Sequence, residues 1–298
     1  MKIKLFWLLR KNLLKLFSIL SLSIYLIGCS WDKIAQIGIY PTKSVNKTRV
    51  PKTPPNNYQN VRFNAKAIMA DGKIQNMNIH GWFYENKTQP NTPVLIFFHG
   101  NGVNLGSFLD SKLLQLFESL NCHFVLVDYP GYGRSTGIPS EASLAATADS
   151  TVKWAKRRLP KSQIFPWGHS LGAAVVFSLA ARNQSEIAGL AATSVWTSLW
   201  DVAKFHYKIL FKNISKPWRN ANFYNVVATA KTLRLPIIIH HGNADKIIPI
   251  SMGQAVFNAL EKGTGKFIKL NGKGHNDVFG DRRVWKSVKH LLHNKNKI

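Results

Sequence analysis

The feature that most constrains this chain is a serine flanked by glycines, Gly-His-Ser-Leu-Gly at positions 168–172. The motif follows the short apolar run Ile164–Phe165 and opens the helix-forming stretch Ala173–Arg182. A sharp turn from strand to helix leaves no room for a Cβ two residues on either side of Ser170, which explains the two glycines. Such a turn exposes the hydroxyl above a helix N-terminus, where negative charge is favoured. The pattern therefore predicts a nucleophilic serine.

A second loop predicts the anion-binding partner of that serine. The segment His99–Gly102 follows the apolar run Val94–Phe98, so it lies at the end of a strand. Backbone N–H groups of such a loop face the nucleophile and bind the oxyanion that forms when a carbonyl is attacked. We expect the N–H groups of Asn101 and Leu171 to form this oxyanion hole.

A carboxylate and an imidazole follow in the order that a Ser-Asp-His triad requires. Asp245 comes after the apolar run 236–240, and His275 comes after the run 267–270. Ligands of such sheets bind beyond the carboxyl ends of the strands, and Ser170 also follows a strand, so all three residues are expected at that edge. In a triad the histidine takes the serine proton, and the aspartate orients the imidazole.

Other acids and histidines compete for these roles. Asp128 and Asp277 are the alternative acids, and both are interpreted as residues that organise loops. His169 is interpreted as a packing and positioning residue. Four more histidines lack the glycine-flanked loop context of His275 and are interpreted as strand or helix-face residues: His240, His241, His290 and His293. No spacing of His, Cys or Asp indicates a metal site, and the predicted chemistry requires neither a metal nor an organic cofactor.

The order of apolar runs and helix-length segments predicts an α/β fold. Strands are predicted at 61–64, 78–84, 94–98, 123–128, 163–165, 187–192, 236–240 and 266–270. Helices are predicted at 107–119, 141–158, 171–182, 250–262 and 281–293. After the first two strands the elements alternate, which implies a mostly parallel eight-stranded sheet with helices on both faces. Pro166 conflicts with a central strand because it lacks an N–H, so the strand should end or bulge there.

These ordered motifs resemble one family over about residues 57–293. The segments 99–102, 128–135, 168–172 and 274–277 and the Asp245 loop are similar to those of the α/β-hydrolase superfamily. Within it they resemble the branch of membrane-associated serine hydrolases that includes lysophospholipases and protein depalmitoylases. The resemblance implies the α/β-hydrolase fold and an esterase or thioesterase activity. Related peptidases share most of these residues, so a serine peptidase remains an alternative.

The first 28 residues predict a signal peptide, because a basic segment precedes an uncharged apolar run that ends at Cys29. Small residues before that cysteine resemble the bacterial lipobox, which implies cleavage and lipid attachment at Cys29. The alternative is an uncleaved anchor, although the apolar run is shorter than the roughly 20 residues that span a bilayer. Residues 29–56 are predicted to be a tether, and 57–298 the hydrolase domain.

This leader predicts a location in the cell envelope. The domain would be lipid-anchored and face the periplasm or the exterior, at the outer membrane of a Gram-negative organism because Ser30 follows the cysteine. If Cys29 is acylated, Cys122 has no disulfide partner and is predicted to be a buried thiol.

The formal net charge of +26 indicates a surface that attracts polyanions. Nucleic acid is not favoured, because no aromatic-basic recognition motif is present and the predicted route is export. Anionic phospholipid or lipopolysaccharide fits a lipid-anchored protein better. The alternative is a set of well-solvated lysines without a specific partner. The sequence predicts no oligomeric state.

An aromatic and basic insert at about 195–234 predicts a small cap over the active site. Its aromatic residues are Trp196, Trp200, Phe205, Tyr207, Phe211, Trp218, Phe223 and Tyr224. They either line an acyl-chain pocket or only pack the cap onto the sheet. The resulting prediction is a serine hydrolase of acyl, lipid-like esters or thioesters with an acyl-enzyme intermediate. A non-catalytic envelope-binding lipoprotein is a further alternative.

Overall fold

The computed structural model describes residues 39–109, 111–208 and 224–294. The described residues from Thr42 onward belong to one compact unit, which contains the sheet. The predicted signal peptide, Cys29 and the middle of the predicted cap lie outside the described residues.

The fold is built on one eight-stranded sheet with the order β1-β2-β4-β3-β5-β6-β7-β8. Strand β2 is antiparallel to β1 and β4, and the pairs from β4 to β8 are all parallel. The strands are β1 (Tyr58–Ile68), β2 (Ile74–Tyr84), β3 (Val94–Phe98), β4 (His123–Val127), β5 (Ile164–His169), β6 (Leu190–Thr193), β7 (Ile237–Gly242) and β8 (Gly265–Leu270). The predicted mostly parallel sheet is confirmed.

Helices cover the sheet on both faces. They are α1 (Thr42–Val45), α2 (Leu113–Glu118), α3 (Glu141–Arg158), α4 (Leu171–Arg182), α5 (Leu199–His206), α6 (Val226–Ala230), α7 (Ile250–Asn258) and α8 (Arg282–His293). On one face Trp167 of β5 packs against Phe117 of α2 and Trp285 of α8. On the other face Trp154 of α3 packs against Phe83 of β2. The strands β3 to β7 are therefore buried on both sides, as their apolar sequences require, whereas the edge strand β8 is partly exposed.

Some strands and helices begin or end at other residues than predicted, because polar residues also belong to them. Strand β1 is longer than the predicted 61–64, because its residues alternate between buried and exposed and its polar side chains face solvent. The predicted helix 107–119 is divided into a 3₁₀ turn, Leu105–Phe108, and helix α2. Cys122 is a buried free thiol, as predicted.

Strand β5 does not end at Pro166. Residue Ile164 bridges to Ile187, whereas Trp167 pairs with Ala191, so the neighbouring chain has one extra residue over this stretch. The Ile164 carbonyl accepts a hydrogen bond from that neighbour. Backbone groups alternate in direction along a strand, so Pro166 faces the same neighbour and its missing N–H falls at the bulge.

Part of the predicted tether 29–56 contacts the loop that follows β3. The buried side chain of Asn104, in the loop after β3, donates hydrogen bonds from Nδ2 to the carbonyl oxygens of Val45 (3.2 Å) and Thr48 (2.8 Å). Buried carbonyl groups need such partners, so this asparagine fixes the segment that precedes β1.

Replacement of Asn104 tests this attachment. Asn104→Ala leaves two carbonyl groups without their donor, so the free energy of unfolding should fall by about 2 kcal/mol. Limited proteolysis should also cut near Lys43 and Lys47 earlier than in the unaltered protein. Asn76→Ala, at an exposed position of β2, is the matched control. Equal stability of the two variants would contradict the assigned role of Asn104.

Candidate active site

Ser170 occupies the sharp turn between β5 and α4. Its φ of 54° lies in the left-handed region, which is uncommon for a residue other than glycine. A Cβ on Gly168 would lie 2.0 Å from the carbonyl oxygen of Gly172, and a Cβ on Gly172 would lie 1.9 Å from that of Phe98. Both glycines are therefore required by close backbone approach, as the spacing of the motif indicates.

The structure brings Ser170, His275 and Asp245 together at the carboxyl edge of the parallel strands. His275 Nε2 lies 3.0 Å from Ser170 Oγ, and His275 Nδ1 lies 2.8 Å from Asp245 Oδ2. With Nδ1 donating to the carboxylate, Nε2 presents its lone pair to the hydroxyl. An imidazole held in this way can accept the serine proton while the carboxylate stabilises the charged ring.

Asp245 is fixed as an anion. Its Oδ1 accepts hydrogen bonds from the N–H groups of Ile247 (2.9 Å) and Ile248 (2.8 Å), which leaves Oδ2 for His275. Burial raises the pKa of Asp245, but hydrogen bonds from His241, His275 and the backbone lower it further, to well below its ordinary value. The carboxylate is therefore ionised at neutral pH.

His241 is a neighbour of the acid that sequence analysis interpreted only as a strand residue. Its Nε2 lies 3.5 Å from Asp245 Oδ2 and 2.9 Å from the carbonyl oxygen of Ile248. A Cβ on Gly253 would lie 2.3 Å from the His241 ring, so α7 packs directly against it. The signal in the sequence is the position of His241 at the end of β7, four residues before Asp245.

Two side chains hold the backbone of His275. His169 Nε2 lies 3.0 Å from the His275 carbonyl oxygen, and Ser194 Oγ donates to the same oxygen at 3.4 Å. Burial and then the neighbouring His275 lower the pKa of His169 to about 3, so its ring is neutral. A neutral ring that donates from Nε2 is a positioning group rather than a base. Ser194, which has a φ of 54°, was not singled out from the sequence.

The loop 99–102 lies against the serine turn. A Cβ on Gly100 would lie 3.1 Å from His169 Nδ1 and 3.6 Å from Ser170 Cβ. Tyr129 Oη donates to the His99 carbonyl oxygen at 2.7 Å, which fixes the start of the loop. This position next to the N-terminus of α4 is suited to an oxyanion hole formed with Leu171.

The two alternative acids lie in loops. Asp128 is buried, and its Oδ1 accepts from the N–H of Leu105 at 2.9 Å. Its carboxylate also lies 3.6 Å from His99. Asp277 Oδ1 accepts from the N–H of Gly274 in the loop of His275. Both aspartates therefore organise loops beside the site, and the acid hydrogen-bonded to His275 is Asp245.

The described parts of the predicted cap are 195–208 and 224–234. Trp196 and Tyr224 are buried and their ring centroids lie 6.4 Å apart, so these two aromatics pack within the protein. Phe211, Trp218 and Phe223 lie outside the described residues. The N–H of Tyr224 donates to Glu141 Oε1 at 3.1 Å, which links the end of this insert to the start of α3.

Within the described residues, no group of His, Cys, Asp and Glu side chains has a geometry that could hold a metal ion. Over the same residues, no helix combines the length and the apolar character needed to cross a membrane.

Comparison with known proteins supports the fold inferred from the sheet. A family model described as "alpha/beta hydrolase fold" matches residues 93–236. The esterase Pf2001 of Pyrococcus furiosus superposes with a TM-score of 0.63 at 18% identity, covering 82% of this chain and 94% of that one. Est1E of Butyrivibrio proteoclasticus, solved with ferulic acid bound, gives 0.58 at 19% identity, covering 77% and 98%. The chain has the α/β-hydrolase fold.

The chain is also similar in sequence to known proteins. The protein bem46 of Schizosaccharomyces pombe is 26% identical over 90% of this chain and 89% of its own length. The lysophosphatidylserine lipase ABHD12 of Rattus norvegicus is 28% identical over 59% of this chain. The chain spans only 47% of the length of that lipase.

The hydrogen bond from Asp245 to His275 predicts a matched pair of effects. Asp245→Asn should lower the turnover of an ester substrate by about 10³–10⁴-fold, because the amide no longer holds the productive tautomer. Asp277→Asn retains an oxygen that accepts from Gly274, so its turnover should stay within about tenfold of the unaltered protein. Steady-state kinetics with a nitrophenyl ester measures both. A larger loss of turnover in Asp277→Asn than in Asp245→Asn would assign the role of the triad acid to Asp277.

The raised pKa of Glu141 predicts that the stability of the protein depends on pH. Burial raises the pKa of Glu141 from 4.5 to about 7, against smaller opposing effects of the Tyr224 N–H and Arg182. At a pH between these two pKa values, Glu141 keeps its proton in the folded state and has lost it in the unfolded state. The free energy of unfolding therefore falls as pH rises. Glu141→Gln removes this dependence on pH. From pH 5 to pH 8, the free energy of unfolding of the variant should therefore rise by about 1–2 kcal/mol relative to that of the unaltered protein. Denaturant unfolding at each pH measures the difference, and parallel curves would contradict the prediction.

Proposed function

We propose that this protein is a serine hydrolase that cleaves carboxylic ester or thioester bonds of acyl, lipid-like substrates through an acyl-enzyme intermediate. The observation that carries the proposal is the continuous hydrogen-bonded chain from Ser170 Oγ through His275 to Asp245. The esterases with similar folds and the lipases with similar sequences support ester hydrolysis in general.

The first half of the proposed reaction transfers the acyl group to the enzyme. Ser170 Oγ attacks the carbonyl carbon while its proton moves to His275 Nε2, and the carbonyl oxygen becomes an oxyanion. The N–H groups of Asn101 and Leu171 bind that oxyanion, and each such donor is worth on the order of 3 kcal/mol. When the tetrahedral intermediate collapses, the bond to the alcohol or thiol breaks, and His275 protonates the leaving group.

The second half returns the enzyme to its starting state. A water molecule attacks the carbonyl carbon of the acyl ester on Ser170 while His275 removes a proton from the water. A second oxyanion then forms in the same oxyanion hole. Collapse releases the carboxylic acid and gives the proton back to Ser170. Asp245 remains ionised throughout, because its pKa lies well below its ordinary value.

A lipid-like substrate is supported by the similarity to ABHD12, which is named as a lysophosphatidylserine lipase, and by the aromatic insert that follows β6. Lipid attachment at Cys29 and an envelope location remain proposals that rest on the sequence alone. The alternatives are a serine peptidase of the same fold and an envelope-binding lipoprotein without activity.

Hydrolysis of nitrophenyl esters of increasing acyl length tests the proposal. Ser170→Ala should lower turnover by at least about 10³-fold, because the nucleophile is lost. Ser119→Ala, at an exposed serine away from the site, is the matched control and should behave as the unaltered protein. Faster cleavage of long-chain than of acetyl esters supports a lipid-like substrate. Cleavage of aminoacyl amides in preference to esters would favour the peptidase, and no turnover by a folded sample would favour the non-catalytic alternative.

A further inference from the structure

Among the described residues, the large hydrophobic side chains that are exposed all lie at one edge of the sheet. Five of them lie in the connections that follow β3, β4, β6 and β7, and two lie at the turn between β1 and β2. They are Ile68, Ile74, Leu109, Ile138, Phe205, Tyr207 and Ile247. This is the carboxyl edge of the parallel strands, where Ser170 also lies. Scattered exposed apolar residues are normal, but their restriction to one edge indicates a contact surface.

The β1–β2 hairpin projects beyond this edge. Pairing of β2 with β4 stops at Gly81 and Val127, whereas β1 and β2 stay paired with each other as far as Ile68 and Ile74. At about 3.3 Å per residue, the extension from Gly81 to Ile74 places the turn roughly 20 Å past the last pair with β4. The hairpin tip therefore extends beyond the carboxyl ends of the parallel strands.

The solvent-facing side of the hairpin changes character at its tip. Cross-strand pairs on this side are polar nearer the sheet, for example Lys66 with Asn76, but the last pair is Ile68 with Ile74. These two isoleucines are 70% and 68% exposed. The polar pairs on this side of the hairpin face water. An exposed isoleucine pair at the end of the same row indicates that the tip contacts an apolar partner instead.

Ile138 is held near the hairpin by the side chain of Gln75, which lies on the other side of β2 from Ile74. Gln75 Nε2 donates to the Ile138 carbonyl oxygen at 2.9 Å, and the Ile138 N–H donates to Gln75 Oε1 at 2.9 Å. The side chain of Ile138 is 53% exposed. The two isoleucines of the last pair, Ile68 and Ile74, are called the hairpin-tip surface below.

We propose that the hairpin-tip surface inserts into the interfacial layer of an anionic phospholipid bilayer and so turns the carboxyl edge of the sheet, with Ser170, toward the lipid. The surface is too small for a stable protein interface, which buries about 1,200 Å² or more. A bilayer sets no such minimum, because each apolar side chain and each nearby cation adds to binding. Lys66 flanks the isoleucines and suits anionic headgroups, whereas Lys73 in the turn is paired with Asp71 at 3.2 Å.

The start of the folded unit lies at the same edge. Asn46 donates to the Gly131 carbonyl oxygen at 2.8 Å and accepts from the Gly133 N–H at 2.8 Å, in the loop that follows β4. Residues 42–50 therefore bring the chain into the fold on the side of the hairpin tip and of Ser170. The proposal rests on the proposed function only for the identity of the substrate.

A fluorescent probe at the tip of the full-length chain tests the insertion. The chain carrying Ile68→Cys is labelled with an environment-sensitive dye and reconstituted with vesicles of phosphatidylcholine and phosphatidylglycerol. The dye should shift to shorter wavelengths and lose roughly half or more of its emission to lipids with a quencher on the upper acyl chain. Gln59→Cys, at an exposed position at the opposite end of β1, is the matched control and should show neither change. The unsubstituted chain, in which Cys122 is buried, gives the blank.

A charge variant measures the consequence for activity. Ile68→Glu/Ile74→Glu should lower hydrolysis of vesicle-resident esters by roughly tenfold and leave soluble acetyl esters unchanged. Gln59→Glu/Gln89→Glu adds the same charge at the opposite edge and should lower neither rate.

Three outcomes would overturn the proposal. The first is the same dye response at positions 59 and 68, and the second is an equal loss in both charge variants, which would show that only net charge matters. The third is a concentration-dependent shift at position 68 without vesicles, which would show contact with a second copy. Repeating the dye measurement with Ser170→Ala separates the surface from the chemistry, since insertion needs no catalysis.

Discussion

The close approach of α4 to the ends of β3 and β5 is the constraint on which the site depends. Gly172 packs against the carbonyl group of Phe98, and Gly168 packs against Gly172, at distances where any Cβ would overlap backbone atoms. This contact bends the chain sharply and gives Ser170 its left-handed φ of 54°. Backbone strain of this kind persists only where the surrounding structure enforces it, and here it directs the hydroxyl toward His275.

Buried polar contacts then fix the partners of the serine. Asp245 is held by two backbone N–H groups, and the carbonyl group of His275 is held by His169 and Ser194. Because these groups are buried, each hydrogen bond acts in a medium of low dielectric constant, where misplacement is costly. The geometry of the site is thus set by residues at the ends of five strands, β3, β5, β6, β7 and β8, and no one of these segments determines it.

The sequence predicted the parts of this arrangement that leave local patterns. Apolar runs predicted eight strands, and glycine spacing predicted the turn at Ser170, because close backbone approach forbids other residues. His241 and Ser194 were not assigned to the site, since their roles arise from the packing of β7, α7 and the loop of His275, which no local pattern encodes. The contact of Val45 and Thr48 with the domain was not predicted for a similar reason. This contact depends on Asn104, a residue distant in sequence from the segment that it holds.

The central claim is that Ser170 is a nucleophile activated by His275. Treatment of the protein with a fluorophosphonate, followed by peptide mass spectrometry, tests it most directly, because such reagents form a stable phosphonyl ester only with an activated serine. One adduct is expected on the peptide that contains Ser170, and it should be lost in a folded His275→Ala variant. An adduct on another serine, or equal labelling of the variant, would show that His275 does not activate Ser170.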